Sequence, residues 1–209
     1  MNVATLTLGP IATNCYLVWQ EGLSPALLVD CAGDPEGIQQ AAQARELQIR
    51  LIVITHAHAD HFDALAAVKE RTGAAVAIHE LEAPLLADPT RNLTAMLGYP
   101  NQPVAAERLL HEADVIRLEG SEIALTVLHT PGHTPASICL LGKGVLFSGD
   151  CLFAGGIGRM DLPGADERAM AASLARLMKL DPDLTVYPGH GPTTTIGEER
   201  ESNPWAENL

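Results

Sequence analysis

Residues 50–61, RLIVITHAHADH, join a short apolar run to four potential metal ligands. The run 50–55 leads directly into His56, His58 and His61, with Asp60 just before the last of them. The chain has only 8 histidines, so three in so short a stretch is far denser than random spacing would give. Imidazole and carboxylate groups together suit zinc, iron or manganese. The stretch predicts a buried strand that ends in a metal-binding loop.

Length and charge narrow the class of protein. The chain has 209 residues, 47% of them apolar, which predicts a single globular domain over residues 1–209 with a substantial core. The formal charge of −13 argues against nucleic acid or an anionic membrane as partner, because both bind basic surfaces. A small-molecule substrate is the favoured partner.

The amino terminus and the cysteines indicate a cellular compartment. Residues 1–6 contain no basic segment followed by a long apolar run, and no later stretch reaches transmembrane length, which predicts a soluble cytoplasmic protein. The cysteines lie too far apart for a zinc ribbon or a disulfide framework, so buried reduced thiols are expected. They are Cys15, Cys31, Cys139 and Cys151.

Apolar segments alternate with helical patterns along the chain, which predicts an α/β fold with two sheets and helices outside them. Asp60 stands where it could cap a helix that begins at Phe62. Residues 88–112 carry several proline and glycine turns and are expected to form a flap or pocket wall. The predicted strands are 3–8, 14–19, 26–30, 50–55, 114–118, 122–129, 136–142, 144–149 and 184–188, and the other predicted helices are 35–47 and 166–180.

Three later turns each place one ligand-type side chain after a predicted strand. They are TPGHTP at 130–135, FSGD at 147–150 and VYPGHGP at 186–192. Glycine lets the backbone turn sharply beside the ligand, while the sheet holds the strand end in place. His133, Asp150 and His190 therefore join the candidate ligands. Asp30, after the third predicted strand, is a candidate to brace them by hydrogen bonds.

The remaining histidines have no such setting. His79, His111 and His129 lack the glycine turns and are expected to be surface or strand-end residues.

The ordered set HAHADH, PGH, SGD and PGH resembles that of metallo-β-lactamase-fold hydrolases over nearly the whole chain. The resemblance implies a four-layer αββα sandwich and two divalent metal ions, with zinc favoured and iron or manganese as alternatives. It also implies a division of the ligands between the two ions. His56, His58 and His133 would bind the first ion, Asp60, His61 and His190 the second, and Asp150 both.

Within that superfamily the chain is most similar to short glyoxalase II-like proteins, the hydroxyacylglutathione hydrolases and their relatives. TNCYLV at 13–18, SGDCLF at 148–153 and GRMDLPG at 158–164 carry the likeness. Arg159 matches a basic residue that contacts glutathione in glyoxalase II enzymes, and with Asp161 it is a candidate substrate-binding residue. Two features depart from the pattern. The carboxy-terminal helical domain of full-length glyoxalase II is not in the sequence, and Asp161 replaces a tyrosine, an Arg-x-Asp arrangement also similar to that of persulfide dioxygenases.

The predicted function is hydrolysis of a small anionic thioester of the hydroxyacylglutathione type by a metal-bridging hydroxide, which Asp60 would hold in line as the catalytic residue. Two alternatives stay open. One is a persulfide dioxygenase with a single iron bound by His56, His133 and Asp150, and the other is hydrolysis of a lactone or another ester at the same site. A homo-oligomer is compatible with either.

Overall fold

A computed structural model describes residues 1–100 and 102–207. The chain forms two compact units, described here one at a time. Residues 1–110 with 116–124 form the N-terminal unit, and residues 111–115 with the chain from 125 onward form the C-terminal unit.

The N-terminal unit is built on a six-stranded sheet in which the strands follow chain order, β1-β2-β3-β4-β5-β6. The first three strands are antiparallel neighbours, and β3 to β6 run parallel. Parallel neighbours need a crossover, and helices supply it between β3 and β4 and between β4 and β5. The strands are β1 (Asn2–Leu8), β2 (Thr13–Trp19), β3 (Pro25–Val29), β4 (Gln48–Ile54), β5 (Ala75–His79) and β6 (Arg108–Leu110), and the helices are α1 (Pro35–Gln43), α2 (Leu65–Thr72) and α3 (Thr94–Leu97).

This parallel arrangement determines where the ligand loop lies. Val29 pairs with Val53, and Ile54 pairs with Ile78, so β3, β4 and β5 end at the same edge of the sheet. The segments that leave these three ends begin at Asp30, Thr55 and Glu80. Apolar side chains of the strands and of α1 and α2 fill the core behind them, including Leu28, Ile38 and Leu65, all fully buried.

The C-terminal unit contains most of a second six-stranded sheet, whose order is β12-β11-β10-β9-β8-β7. β10 and β11 are parallel, so the turns after them, which carry Asp150 and His190, leave the same edge. Met170, Leu174 and Leu177 of α4 pack in the core of this unit. The elements are β7 (Val115–Arg117), β8 (Ala124–His129), β9 (Ile138–Gly142), β10 (Val145–Gly149), α4 (Glu167–Leu177), β11 (Thr185–Pro188), β12 (Thr194–Thr195) and α5 (Ile196–Ser202).

All nine predicted strands and the three predicted helices have counterparts in the structure, within a few residues. Strands β5, β6 and β12 and helices α3 and α5 were not predicted. The helix predicted over 35–47 ends at Gln43, because Glu46 takes a left-handed φ of 57° and Leu47 N–H turns back to the Ala42 carbonyl. Residues 88–112 include α3 and β6, so they are more regular than expected.

The capping prediction for Asp60 was wrong. Residues Ala59–His61 form a separate 3₁₀ turn, and α2 begins only at Leu65 after Ala64, which has no side-chain cap. The Asp60 carboxylate instead accepts a hydrogen bond from Thr13.

Among the helices of residues 1–100 and 102–207, none is long and apolar enough to cross a bilayer. The cytoplasmic location and the single domain over 1–209 stay predictions.

Candidate functional site

The loop after β4 brings four candidate ligands together inside the N-terminal unit. His56, His58, Asp60 and His61 are all buried, the most accessible being Asp60 at 7%. The His56 ring centroid lies 4.8 Å from that of His58 and 4.2 Å from that of His61. Three imidazoles packed this closely would repel one another if protonated, so the cluster is suited to neutral rings that bind cations.

Asp30 fixes the orientation of His61. The Nδ1 atom of His61 lies 2.9 Å from Asp30 Oδ2, and both Asp30 oxygens also accept hydrogen bonds from Thr55. A carboxylate on one ring nitrogen holds the proton there and leaves the other nitrogen, Nε2, as the electron-pair donor. The hydrogen bonds predicted for Asp30 are confirmed, and its effect on metal binding stays a prediction.

Hydrogen bonds through Thr55 also determine which ring nitrogen of His56 holds the proton. The Thr55 hydroxyl donates to Asp30 Oδ2 at 2.9 Å and lies 3.2 Å from His56 Nδ1. Because that hydroxyl proton is already used, His56 Nδ1–H is the donor to Thr55 Oγ1. The ring therefore also offers Nε2 as its electron-pair donor.

Glu82 holds the backbone of the loop and was not found from the sequence. It is fully buried, and its Oε2 accepts the Ala57 N–H at 2.8 Å, between His56 and His58. It lies just after β5, in a stretch that also contains Glu80, and no local pattern distinguishes the two. His79, at the end of β5, has the predicted strand-end position but is buried.

The C-terminal unit brings the other three candidates together. Asp150 Oδ2 lies 3.5 Å from His133 Nε2 and 3.7 Å from His190 Nε2. His133 Nδ1 donates to the Arg159 carbonyl at 2.9 Å, which again leaves Nε2 as the electron-pair donor. His133 and Asp150 are buried, whereas the His190 side chain is 26% exposed. The partly exposed His190 side chain gives a substrate access to this group of ligands from one side.

These donor atoms fit divalent metal ions. Two ligand atoms at 2.0 to 2.2 Å from one tetrahedral ion are about 3.4 Å apart. In the N-terminal unit Asp60 Oδ2 lies 3.4 Å from His61 Nε2. With the separations of 3.5 and 3.7 Å at Asp150, each unit has donor pairs at the spacing that a shared cation requires.

Gly158 is required where the chain passes His133. A Cβ atom there would lie 2.1 Å from the Asp150 carbonyl oxygen and 2.9 Å from His133 Nδ1. Without a side chain, Gly158 N–H bonds the Asp150 carbonyl at 3.1 Å, and the next residue presents its carbonyl to His133. Gly132 is equally constrained, because its φ is 148° and a Cβ would lie 2.5 Å from Met170 Cα. The glycine requirement predicted for the PGH turn is met at Gly132.

Arg159 and Asp161 form an exposed pair. Arg159 Nε and Nη2 donate to the two Asp161 oxygens at 2.8 and 2.7 Å. This bidentate contact lowers the pKa of the Asp161 carboxyl to about 2 and raises the pKa of the Arg159 guanidinium. Both side chains are therefore charged at neutral pH. Their role in substrate binding stays a prediction.

The four cysteines are buried free thiols. Burial raises the pKa of Cys15 and Cys31 well above the usual range, and the pKa of Cys151 is raised by its hydrogen bond with Cys139 and by burial. Thiols with raised pKa values are poor nucleophiles and poor metal ligands. The buried reduced thiols predicted from the sequence are confirmed.

Known protein families and relatives are similar to this chain over most of its length. Residues 8–190 match the model of the metallo-beta-lactamase superfamily. A hydroxyacylglutathione hydrolase from Haemophilus influenzae, GloC, is 31% identical over 98% of both chains.

Three solved structures are also similar. A B3 metallo-beta-lactamase, BLEG-1, is 34% identical with a TM-score of 0.91, covering 99% of this chain and 100% of its own. TTHA1623, solved in a di-iron-bound form, is 39% identical with a TM-score of 0.86, over 97% and 100%. ETHE1 from Myxococcus xanthus is 29% identical with a TM-score of 0.82, over 100% and 86%.

These likenesses confirm the predicted α/β class and the metallo-β-lactamase fold. Together with the superfamily match over residues 8–190, they show that the chain belongs to the metallo-β-lactamase superfamily.

Proposed function

We propose that the chain is a dinuclear-metal hydrolase that cleaves a small anionic thioester of the hydroxyacylglutathione type. The observation that carries this proposal is that hydrogen bonds fix which ring nitrogen of these histidines holds the proton. Asp30 and the Arg159 carbonyl each take the Nδ1 proton of one ring, so that His61 and His133 present Nε2 as metal ligands. Likeness to a hydroxyacylglutathione hydrolase over 98% of the chain supports the substrate class.

The ligand assignment rests on the superfamily resemblance. His56, His58 and His133 would bind one ion, Asp60, His61 and His190 would bind the other, and Asp150 would bind both. Zinc is favoured by the nitrogen and oxygen donor set, while iron or manganese suits the same donors, and the relative TTHA1623 was solved with two irons.

Bound at these residues, two divalent ions would supply an acidified water as nucleophile and polarise the carbonyl group of the substrate. Asp60 would orient that water, and the hydrogen bond that its Oδ2 accepts from the Thr13 hydroxyl at 3.1 Å supports this role by restricting the carboxylate. The thiol leaving group does not need to be protonated by the protein. Thiols have pKa values near 8.5, so a thiolate departs without a strong general acid.

Arg159 is proposed to bind a substrate carboxylate. Asp161 occupies the edge of the guanidinium formed by Nε and Nη2, which leaves Nη1 directed away from the ion pair. A substrate carboxylate can accept a hydrogen bond from Nη1. Asp161 thus holds Arg159 in one orientation and also weakens its net attraction for an anion.

The second candidate is a persulfide dioxygenase with one iron, and the likeness to ETHE1 favours it. The two reactions differ in what they consume, since a hydrolase needs only water and the dioxygenase consumes oxygen.

Asp60→Asn tests the proposal, with Asp183→Asn as a matched control on an exposed aspartate. The hydrolase proposal predicts that Asp60→Asn lowers kcat for S-lactoylglutathione by roughly 100-fold or more, since general acid–base and positioning groups contribute on that scale. Asp183→Asn is expected to match wild type. Oxygen uptake on glutathione persulfide by wild type, without thioester hydrolysis, would favour the dioxygenase instead.

A further inference from the structure

A buried carboxylate in α5 lies outside every motif of the ligand set. Glu199 is only 2% exposed, whereas its neighbours Glu198 and Glu201 are exposed. It accepts hydrogen bonds from Thr194 Oγ1 at 2.7 Å, Gly155 N at 2.8 Å and Asn203 Nδ2 at 2.7 Å. Burying a carboxylate is unfavourable unless hydrogen bonds replace its water, and here three donors do so.

The Gly155 contact ties α5 to the turn that follows Asp150. Phe153 and Gly156 bridge this turn through two backbone hydrogen bonds, of 2.9 and 3.3 Å. Asn203 Nδ2 also donates to the Gly156 carbonyl at 3.1 Å. Glu199 and Asn203 together therefore hold a backbone donor and a backbone acceptor of the same turn. We call this arrangement of Glu199, Asn203 and the turn Phe153–Gly156 the α5 clamp.

The turn held by the α5 clamp contains Phe153, whose ring contacts the candidate ligand His190. The Phe153 ring lies edge-on to His190, with centroids 6.0 Å apart and ring planes at 89°. His190 is the most exposed of the three ligands in this unit. An aromatic edge on one side restricts how its ring can rotate.

We infer that Glu199 is a positioning residue that acts through Phe153 to hold His190 in its ligand orientation. This inference rests on the proposed function for the role of His190 as a ligand. Glu199 contacts neither substrate nor metal, and its effect is transmitted by the turn.

The test is Glu199→Gln, with Glu201→Gln as the matched control on the same helix. Glutamine can keep one oxygen on Gly155 N and Asn203 Nδ2 and turn its amide to the Thr194 hydroxyl, but that oxygen is a neutral acceptor in place of a charged one. Amide hydrogen exchange at Gly155 and Gly156 is expected to rise about tenfold in Glu199→Gln, because a neutral acceptor replaces a charged one and weakens the hydrogen bond to Gly155 N. The His190 ring resonances in NMR spectra are expected to shift in the same variant. Glu201→Gln is expected to leave both unchanged.

The second readout is metal retention by the loaded full-length protein against a chelator. Glu199→Gln is expected to lose the more weakly held zinc roughly 3- to 10-fold more readily than wild type, with kcat lowered more than KM is raised. Phe153→Leu keeps the apolar volume but removes the aromatic edge. It is expected to shift His190 and weaken metal retention without faster exchange at Gly155, and it keeps the inference testable should Glu199→Gln fail to fold.

Unchanged exchange at Gly155 in Glu199→Gln would overturn the clamp. Faster exchange with unchanged His190 resonances and metal retention would overturn the positioning role. These amide and ring measurements need neither metal nor substrate. A wild type that hydrolyses no thioester would therefore refute the proposed function while leaving the clamp to be judged by its own data.

Discussion

The two ligand groups are anchored by different chemistry. In the N-terminal unit, side-chain carboxylates hold the group, with Asp30 on His61 and Glu82 on the Ala57 amide. In the C-terminal unit, backbone groups hold the ligand turns at two points. The Arg159 carbonyl accepts from His133, and the amide of Gly189, next to His190, donates to the Gly149 carbonyl at 2.8 Å. The first group should therefore be sensitive to loss of charge at Asp30 and Glu82, and the second, apart from the α5 clamp beside His190, to added bulk.

Gly158→Ala should have the largest effect. The new methyl group would lie 2.1 Å from the Asp150 carbonyl, and neither backbone can yield easily. We expect a loss of about 3 to 5 kcal/mol in the free energy of unfolding, together with loss of metal. Gly156→Ala is the control, because a Cβ there meets nothing within 4 Å. Equal melting temperatures for the two variants would show that backbone approach does not anchor this group.

Asp30→Asn tests the charge anchor of the other group. Asparagine tolerates the left-handed φ of 57° at this position and can still accept from Thr55, but it removes the charge opposite His61. Metal affinity should fall roughly 10- to 100-fold, as when a ligand histidine loses its carboxylate partner. Competition with a chelator measures this, with Asp183→Asn as control. Unchanged affinity would remove the contrast between the two groups.

Glu82→Gln should have a smaller effect, since the glutamine carbonyl can still accept the Ala57 N–H. We expect a loss of about 1 to 2 kcal/mol in thermal or urea unfolding, the difference between a charged and a neutral acceptor. Glu80→Gln, on an exposed neighbour, should be near neutral. A larger loss at Glu80 than at Glu82 would contradict the burial argument.

The smallest effect is expected at Asp161. The ion pair lowers the pKa of the Asp161 carboxyl from 3.8 to about 2. The carboxylate is therefore fully charged at any pH well above 3.8, and the ion pair is lost only as the pH falls through about 2. KM for the thioester should therefore show no titration of this pair between about pH 4 and 8. Asp161→Asn should change KM by less than about fivefold, because an exposed ion pair is weak. A KM that titrates near pH 4 in wild type would contradict the pairing.

The ligands were predictable because they sit in short patterns that follow apolar runs, as in residues 50–61. Asp30 could be predicted as a brace from its place after β3. Glu82 and Glu199 could not, because their roles depend on amides of distant segments, at Ala57 and Gly155. Strands β6 and β12, of 3 and 2 residues, are too short to produce a periodic pattern.

The most direct test of the central claim is metal stoichiometry measured on the same sample as turnover of S-lactoylglutathione. Zinc, iron or manganese would be added stepwise to metal-free protein, and thioester hydrolysis and oxygen uptake on glutathione persulfide would be followed at each step. The account predicts thioester hydrolysis that reaches its maximum at two ions per chain, with no oxygen consumed. Full activity at one iron per chain, with oxygen uptake and no thioester cleavage, would contradict it.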